Sequence, residues 1–483
     1  MNLSTIALFR KKIMEQAIKG ELSINKERVT DSAFDLLNKI QSKKEELIKN
    51  GKLKSSKPLP KVTVEEEPFS LPKGWIWARF GDATINRDGE RIPLSKKERE
   101  IKEKIYDYYG ASGIIDKVDS FLFETPLLLI GEDGANLISR STPIAFIATG
   151  KYWVNNHAHV VDSYDLTVLK YLSLYINAIN LEPYLTGSAQ PKLNQAKLNM
   201  IVVALPPYSI MKELIDKVDS LNSLCDQWEL EVRSQQKHIE TLRNKVLNDA
   251  LQGLLVPQNN EEESANVLLK KIKAKKEQLI KAKVIKKSKS LPPIEENEIP
   301  HKLPSGWIWV RIGDIAQINP RNAIDDDLEV GFVPMTLIED GYSGKHTSET
   351  RKWSEIKKGF THFQENDIAI AKITPCFENK KSAIMKDLAN GYGAGTTELH
   401  IVRPFHDYVL VDYLMCLFKS NTFIEKGVQT YTGTAGQQRI SKDFIENYVI
   451  GLPPIEEQHR IVEKVNTVWE TINEIENNIV KAK

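Results

Sequence analysis

Leu71-Pro-Lys-Gly-Trp-Ile-Trp-Ala-Arg-Phe-Gly-Asp82 returns 232 residues later as Leu303-Pro-Ser-Gly-Trp-Ile-Trp-Val-Arg-Ile-Gly-Asp314. The match extends outward in both directions. Upstream, Lys12-Ile-Met-Glu-Gln-Ala-Ile-Lys-Gly-Glu-Leu22 pairs with Lys245-Val-Leu-Asn-Asp-Ala-Leu-Gln-Gly-Leu-Leu255, and the charged stretch around Leu47-Ile48 pairs with that around Leu279-Ile280. Downstream, Thr186-Gly-Ser-Ala leads into Ala204-Leu-Pro-Pro207, and Thr432-Gly-Thr-Ala leads into Gly451-Leu-Pro-Pro454. Self-similarity over half the chain means one duplicated plan. Residues 83–185 and 315–431, which lie inside these flanks, align poorly, so the frames repeat while the contents vary.

The frames read as helices. After Leu205-Pro-Pro207, Leu214, Val218, Leu221, Cys225, Trp228, Val232, Gln235, Ile239, Leu242 and Val246 recur at alternating fours and threes, the spacing of a heptad seam. After Leu452-Pro-Pro454 the counterpart runs Ile461, Val465, Val468, Ile472, Ile475 and Ile479. Ile6, Phe9 and Ile13 align with Ile239, Leu242 and Val246, so the N- and C-terminal helices together repeat the central one, which predicts a circular arrangement with adjacent termini. An apolar stripe on each helix is buried most simply by a similar stripe, giving antiparallel coiled-coil pairs. A central helix over residues 209–255 would be ~70 Å long. Gly20 and Gly253 are placed to end helices. Residues 51–70 and 284–303, rich in Lys, Ser, Pro and Glu, read as exposed linkers.

The interiors mix β-branched and aromatic runs with turn residues, the pattern of α+β globular domains. Expected strands are Phe121–Ile130, Ile144–Ala148, His157–Asp162, Asp367–Ile373 and Leu399–Arg403, and expected helices Leu166–Asn180 and Val411–Lys419. The fold class is therefore α+β: two globular domains separated by long antiparallel coiled-coil helices in a pseudo-twofold repeat. The segments are 1–65 (N-terminal helical), 66–205 (first globular domain), 206–298 (central helical), 299–452 (second globular domain) and 453–483 (C-terminal helix).

Composition restricts the function classes. The chain has 483 residues, 66 Lys and Arg against 65 Asp and Glu, so any polyanion must be held by local basic surface. No apolar run reaches the ~20 residues a membrane helix needs. Residues 1–12 lack the apolar core of a secretory signal, and Cys225, Cys376 and Cys416 are odd in number and far apart, which together predict a cytoplasmic protein without disulfides.

Leu205-Pro-Pro-Tyr208 resembles the Asn/Asp-Pro-Pro-Tyr motif of amino-group DNA methyltransferases, but Leu205 has no oxygen to accept from a target amino group, and Leu452-Pro-Pro-Ile455 also lacks the aromatic. Both are better read as proline-led helix starts. Gly391-Tyr-Gly-Ala-Gly395 precedes an apparent strand rather than a helix and reads as a hairpin or loop, and Gly341-Tyr-Ser-Gly-Lys345 lacks P-loop spacing. His157-Ala-His159 would offer two imidazoles without a third ligand at a recognisable spacing, so hydrogen bonding is the expected role. The acidic clusters Asp325-Asp-Asp327 and Glu65-Glu-Glu67 read as solvated loops. No catalytic residues, metal site or cofactor are assigned.

The paired Leu-Pro-x-Gly-Trp-x-Trp starts, the paired Leu-Pro-Pro-to-heptad ends and the unlike interiors closely resemble the specificity (S) subunit of type I restriction-modification enzymes, over essentially the whole chain. Tyr109-Gly-Ala-Ser-Gly-Ile-Ile-Asp116, Leu129-Ile-Gly-Glu-Asp-Gly134 and Asn155-Asn-His-Ala-His-Val160 are similar to patterns in that family's target recognition domains, with a looser match at Thr396-Thr-Glu-Leu-His400 and Gly433–Ile440. The resemblance implies a non-enzymatic subunit for sequence-specific binding of double-stranded DNA. Each domain would read one half of an asymmetric bipartite site. The helices would set half-site spacing and dock two modification (methyltransferase) subunits and, where present, two ATP-dependent restriction subunits. The N-terminal segment, residues 1–65, departs from the commonest family pattern by duplicating the central region.

Bases and phosphates are held by basic, amide and aromatic side chains. Candidate DNA-binding residues are Arg87, Arg91, Tyr109, Ser112, Gln190 and Lys192 in the first domain, and Arg321, Asn322, Lys345, Lys372, Gln437, Gln438 and Arg439 in the second. Trp75, Trp77, Trp307 and Trp309 belong to the repeated frame and are expected to anchor cores. Outward helix faces near Arg233, Lys237 and Arg243 are the expected docking surface. Two rival readings stand beside this one: a tandem DNA-binding regulator without enzymatic partners, and a DNA methyltransferase with its own recognition domains.

Overall fold

The computed structural model describes the chain except residues 1, 24–30, 56, 188–189, 288–289, 435 and 482–483, and without the side chains of 478–481. Ile479 of the expected seam, residues 188–189 of the Thr186 motif and residue 435 of the Thr432 motif thus lie outside the described residues. The chain divides into two compact units, Met1–Arg233 and Ser234–Lys483.

In the first unit a helix over Leu3–Ile18 starts where the Asn2 side chain accepts from Thr5 N, and Ile6, Ile13 and Ala17 bury against Val218, Cys225 and Val232 of the long helix Tyr208–Gln252. Arg10 pairs with Asp226 at 2.6 Å, whereas Asp31 accepts from Ser209 N at 3.0 Å, so the chain descends one element as it ascends the other: an antiparallel pairing. The second unit repeats it. Arg243 meets Glu476 at 2.8 Å and Gln258 meets Glu457 at 2.7 Å, with Ile461, Val465 and Ile472 of the C-terminal helix Ile455–Lys481 buried. The expected seam is buried at Leu214, Val218, Cys225, Val232 and Val246, but Trp228, Leu242 and Ile475 are exposed.

Gly20 and Gly253 end their helices at φ +71°, and a Cβ there would stand 2.7 Å from Pro72 Cγ and 2.5 Å from Pro304 Cγ respectively. Only glycine allows this approach. Against these turns sit Trp75 and Trp307, buried as expected, and their strands Ile76–Arg79 and Ile308–Arg311 pair antiparallel with Val202–Leu205 and Val449–Leu452. The segments read as exposed linkers are mostly exposed among their described residues, but residues 60–66 and 292–298 are tied down. Arg79, 3% exposed, donates to Pro60 O, Lys61 O, Met200 O and both oxygens of Glu66. Arg311, 4% exposed, repeats the set with Pro292 O, Pro293 O, Asn447 O and Glu298. A buried guanidinium needs its donors filled, and the extended, proline-rich strap supplies carbonyls that no secondary structure uses.

The poorly aligned interiors share a topology apart from one edge strand, Thr361–Gln364, which pairs with Tyr392–Gly395 in the second where the first has only the Phe123–Tyr152 bridge. Both contain a four-stranded antiparallel sheet: Ile85–Asn86, Ala158–Asp162, Leu127–Gly131, Ala145–Ala148 in spatial order in the first unit, and Ala316–Ile318, Leu399–Pro404, Ile368–Ala371, Ser382–Ile384 in the second. Both also pair one parallel and one antiparallel neighbour around a central strand, Tyr106–Gly110 or Glu329–Val333. The strand expected over Phe121–Ile130 is confined to Leu127–Gly131, since Pro126 has no N–H for a ladder. Gly391–Gly395, read as a hairpin or loop, contributes the strand Tyr392–Gly395 inside its sheet; a Cβ on Gly393 would lie 2.3 Å from the Phe363 ring, so glycine lets that ring lie on the sheet. Both helix expectations hold in place, at Leu166–Ala178 and Val411–Lys419. Tyr208 opens the long helix after the two prolines and donates its hydroxyl to Asp165 at 2.5 Å.

Candidate nucleic-acid interface

The repeated Thr-Gly motifs form closed loops. Thr186 and Lys192 exchange backbone hydrogen bonds at 2.8 Å each, and Thr432 and Arg439 do so at 3.1 and 2.9 Å. Each loop is then sewn to a strand end at matching positions. Leu193 N donates to Glu132 O and Gly134 N to Pro191 O in one unit; Ile440 N donates to Lys372 O and Thr374 N to Gln438 O in the other.

A buried histidine fixes each loop from beneath. His159 Nε2 lies 2.7 Å from Leu193 O and its Nδ1 2.6 Å from Asp88 Oδ2, so both nitrogens face acceptors and the geometry requires the imidazolium. Burial opposes that charge, but the hydrogen bond and charge of Asp88, helped by Leu193 O and Glu132, raise the pKa above its usual value. His400 Nε2 lies 3.2 Å from Ile440 O, but its Nδ1 faces the amide nitrogen of Asn319 at 3.1 Å. The Asn319 oxygen is taken by Ile401 N, so its NH2 group points at the ring and Nδ1 must accept. Burial pushes this imidazole down to about 4, only partly opposed by Ile440 O. Asp88 accepts from Val160 N as Asn319 does from Ile401 N, both at 2.8 Å, so a carboxylate in one domain and an amide in the other decide the charge of the ring.

The candidate residues divide by environment. Lys192, half exposed, meets Glu132 at 3.2 Å, and Arg91 meets the same carboxylate at 2.9 Å while donating to Ala158 O and Asp88 O. Arg91 is thereby tied to the domain and 13% exposed. Gln190 is exposed on the loop. Ser112 is exposed in the turn after Gly110; the neighbouring Ala111 O would lie 2.8 Å from a Cβ on Gly131, which brings this turn beside the Glu132 strand end. Arg87 holds Glu90 with two 2.6 Å bonds and lies over the Phe123 ring; Tyr109 packs on Phe146 and Tyr152.

In the second domain the candidates fall into three places. Arg439 grips Glu398 through two 2.9 Å bonds and donates to Gln437 O, with Lys372, Gln437 and Gln438 around it. Arg321 and Asn322 converge on His362, where Asn322 also receives Arg403 and donates to Phe363 O. Lys345 stands apart in a groove with Tyr342 and Trp469. Arg243, expected on an outward face, lies over Tyr342 and Trp469 and pairs with Glu476, which leaves it 15% exposed and corrects that expectation; Arg233 is exposed beside Glu229.

Sequence reasoning missed Asp88, Asn319, Glu132 and Glu398, the groups that orient the histidines and loop cations. The one available signal was the aligned His in Ala158-His-Val160 and Leu399-His-Ile401. The two histidines of His157-Ala-His159 part company: His157 is exposed and bound to Asp133 at 2.8 Å, His159 buried. Among the described residues no group of three metal-binding side chains occurs, and no helix is long and apolar enough to cross a membrane.

Comparison with known proteins places this architecture. The chain is 47% identical over 239 residues to the type I restriction enzyme EcoAI specificity subunit of Escherichia coli, covering 49% of this chain and 41% of that protein. It is 48% identical over 225 residues to the EcoEI specificity subunit of the same organism, covering 46% and 38%. The chain thus spans about two fifths of the length of these relatives. The crystal structure of the HsdS subunit from Thermoanaerobacter tengcongensis aligns with 15% identity over 86% of this chain and 94% of that one, at a TM-score of 0.41. The type I restriction modification DNA specificity domain matches twice, at residues 79–237 and 304–482, one copy on each half of the duplication. The chain belongs to the type I restriction-modification DNA specificity family.

Proposed function

We propose that the chain is the non-catalytic DNA-recognition subunit of a type I restriction-modification complex, with residues 66–205 and 299–452 each reading one half of an asymmetric bipartite site. The observation that carries this reading is one sheet plan, differing by a single edge strand, built twice from dissimilar sequences, once before and once after the helix Tyr208–Gln252 in the chain. Two readers of similar shape present different side chains, which suits a site whose two halves differ in sequence. The helical elements set the separation of the two halves and dock methyltransferase subunits, which perform methyl transfer and connect to restriction subunits where these are present. The exposed apolar side chains Leu224 and Trp228, one turn apart on the long helix, offer such a docking face.

Methylation-aware sequencing of the host genome with and without this gene tests the reading: a split motif should disappear with the gene. Replacing residues 83–185 by the interior of another family member should change one half of that motif only. Inserting a heptad near Trp228, with its counterpart near Ile475, should lengthen the spacer. Purification without any methyltransferase, with DNA present, would favour a regulator; methyl transfer by the isolated chain would favour a methyltransferase.

A further inference from the structure

The loop cation is constant while its counter-ion moves. Lys192 and Arg439 occupy the same position in equivalent loops, one residue before the carbonyl that each buried histidine holds. Their carboxylate partners are not equivalent. Glu132 N donates to His157 O, and at the matching place Lys372 N donates to Glu398 O, so Glu132 corresponds to Lys372 and His157 to Glu398. In the first domain the acid stands on one strand end, and in the second on its neighbour. Were the salt bridge the reason for the cation, its geometry would repeat with it. Glu132 is moreover shared between Lys192 and Arg91, which Asp88 also meets at 3.5 Å, and Glu398 binds Arg439 with the charge of Lys372 nearby.

Two readers of different half-sites should share whatever is common to both halves of a duplex and differ in whatever is not. The common part is the phosphate backbone. Resting on the function proposed above, we infer that Lys192 and Arg439 are the sequence-independent phosphate contacts of the two recognition domains. Thr186 and Thr432 close the loops that present them, and base discrimination falls to the elements that differ. These include the two-residue turn at Ala111-Ser112 in the first domain, where the second has the long excursion between Val333 and Glu349.

The test uses the full chain and a duplex pool of random sequence, with selection of bound sequences and a salt titration of affinity. Lys192→Ala and Arg439→Ala should each weaken binding roughly tenfold near 0.1 M salt and lower the salt slope by about 1, with the selected motif unchanged. Lys192→Arg and Arg439→Lys should keep the wild-type slope, which excludes misfolding as the cause of a loss. A changed base preference in any of the four variants would make these residues base readers and overturn the inference. So would an unchanged slope in both alanine variants with a selective wild type, which leaves the proposed function standing. A wild-type chain that selects no sequence would instead remove the proposed function and this inference with it.

Discussion

The two globular domains hold their loops with the same bond but in different charge states. His159 and His400 donate to equivalent loop carbonyls, yet one ring is paired with Asp88 and the other with the amide of Asn319. The backbone geometry around both is closely matched, down to the hydrogen bonds from Val160 N and Ile401 N. Topology therefore tolerates the exchange of an ion pair for a neutral pair, provided every buried polar atom keeps a partner. The frames show the same freedom: Trp307 donates to the buried Glu457, whereas the matching position in the first unit is the buried Ile210.

The largest expected effect tests where the halves agree. Arg79→Met and Arg311→Met each remove the guanidinium that holds a strap and should each cost about 3 kcal/mol, measured by chemical denaturation. Unequal losses would mean that the straps are not equivalent in energy.

The frame difference comes next. Glu457→Ile gives the second unit the residue of the first but leaves the Trp307 N–H without its acceptor and Gln258 with Gly253 O alone, so it should destabilise by about 2 kcal/mol. Adding Trp307→Phe should recover part of that loss in the same denaturation experiment; no recovery would show that the carboxylate is not there for the indole.

The histidines predict opposite responses to acid. The pKa of His400 is depressed from 6.5 to about 4, so the unfolded chain takes up the proton first, and stability falls as pH drops below 6.5. Going from about pH 7.5 to about pH 5.5 should remove about 1.4 kcal/mol through this group, and His301, His362 and His406, all lowered first by burial, act in the same direction. His159 is raised, so its contribution is complete below 6.5 and is lost as pH rises through the folded value. For its partner Asp88, burial is outweighed by the His159 hydrogen bond and charges, and its contribution fails only as pH falls below 3.8. Hydrogen exchange, corrected for intrinsic rate, should show the Ile440 loop loosening on acidification while the Leu193 loop does not. Loosening of both would refute the charge assignment, and Asn319→Asp should make the second loop behave like the first.

The smallest effect is on exposed loop amides. Gln190→Ala and Gln437→Ala should change stability by less than about 0.5 kcal/mol in either domain, read from the melting temperature. A larger change would show that the loops depend on their tips as well as on the histidines.

Much of the frame was legible because its signals are local. Leu214, Val218, Cys225 and Val232 announce a helix by spacing alone, and Gly20 with Trp75 announces a turn that Gly253 with Trp307 repeats. The interiors were less so. Phe121–Phe123 looked continuous with Leu127–Ile130 because apolar runs do not reveal how proline divides a ladder, and the Gly391–Gly395 strand carries too little side chain to show a period. The partners of Arg91 and Asn322 were not legible, because composition does not reveal which carbonyls a fold leaves unpaired.

By itself the sequence determined the duplication, the helical frame, the tryptophan anchors and the family, since each depends on residues close together or repeated in order. Only the tertiary structure decided that the unlike interiors share a topology apart from one edge strand, that stretches of the presumed linkers are straps, and that the loop cations meet Glu132 and Glu398. Those pairings join residues 60 and 41 positions apart. Strand pairing rests on backbone groups common to every residue, so topology survives when side chains change, and distant partners are fixed only once the sheets have closed.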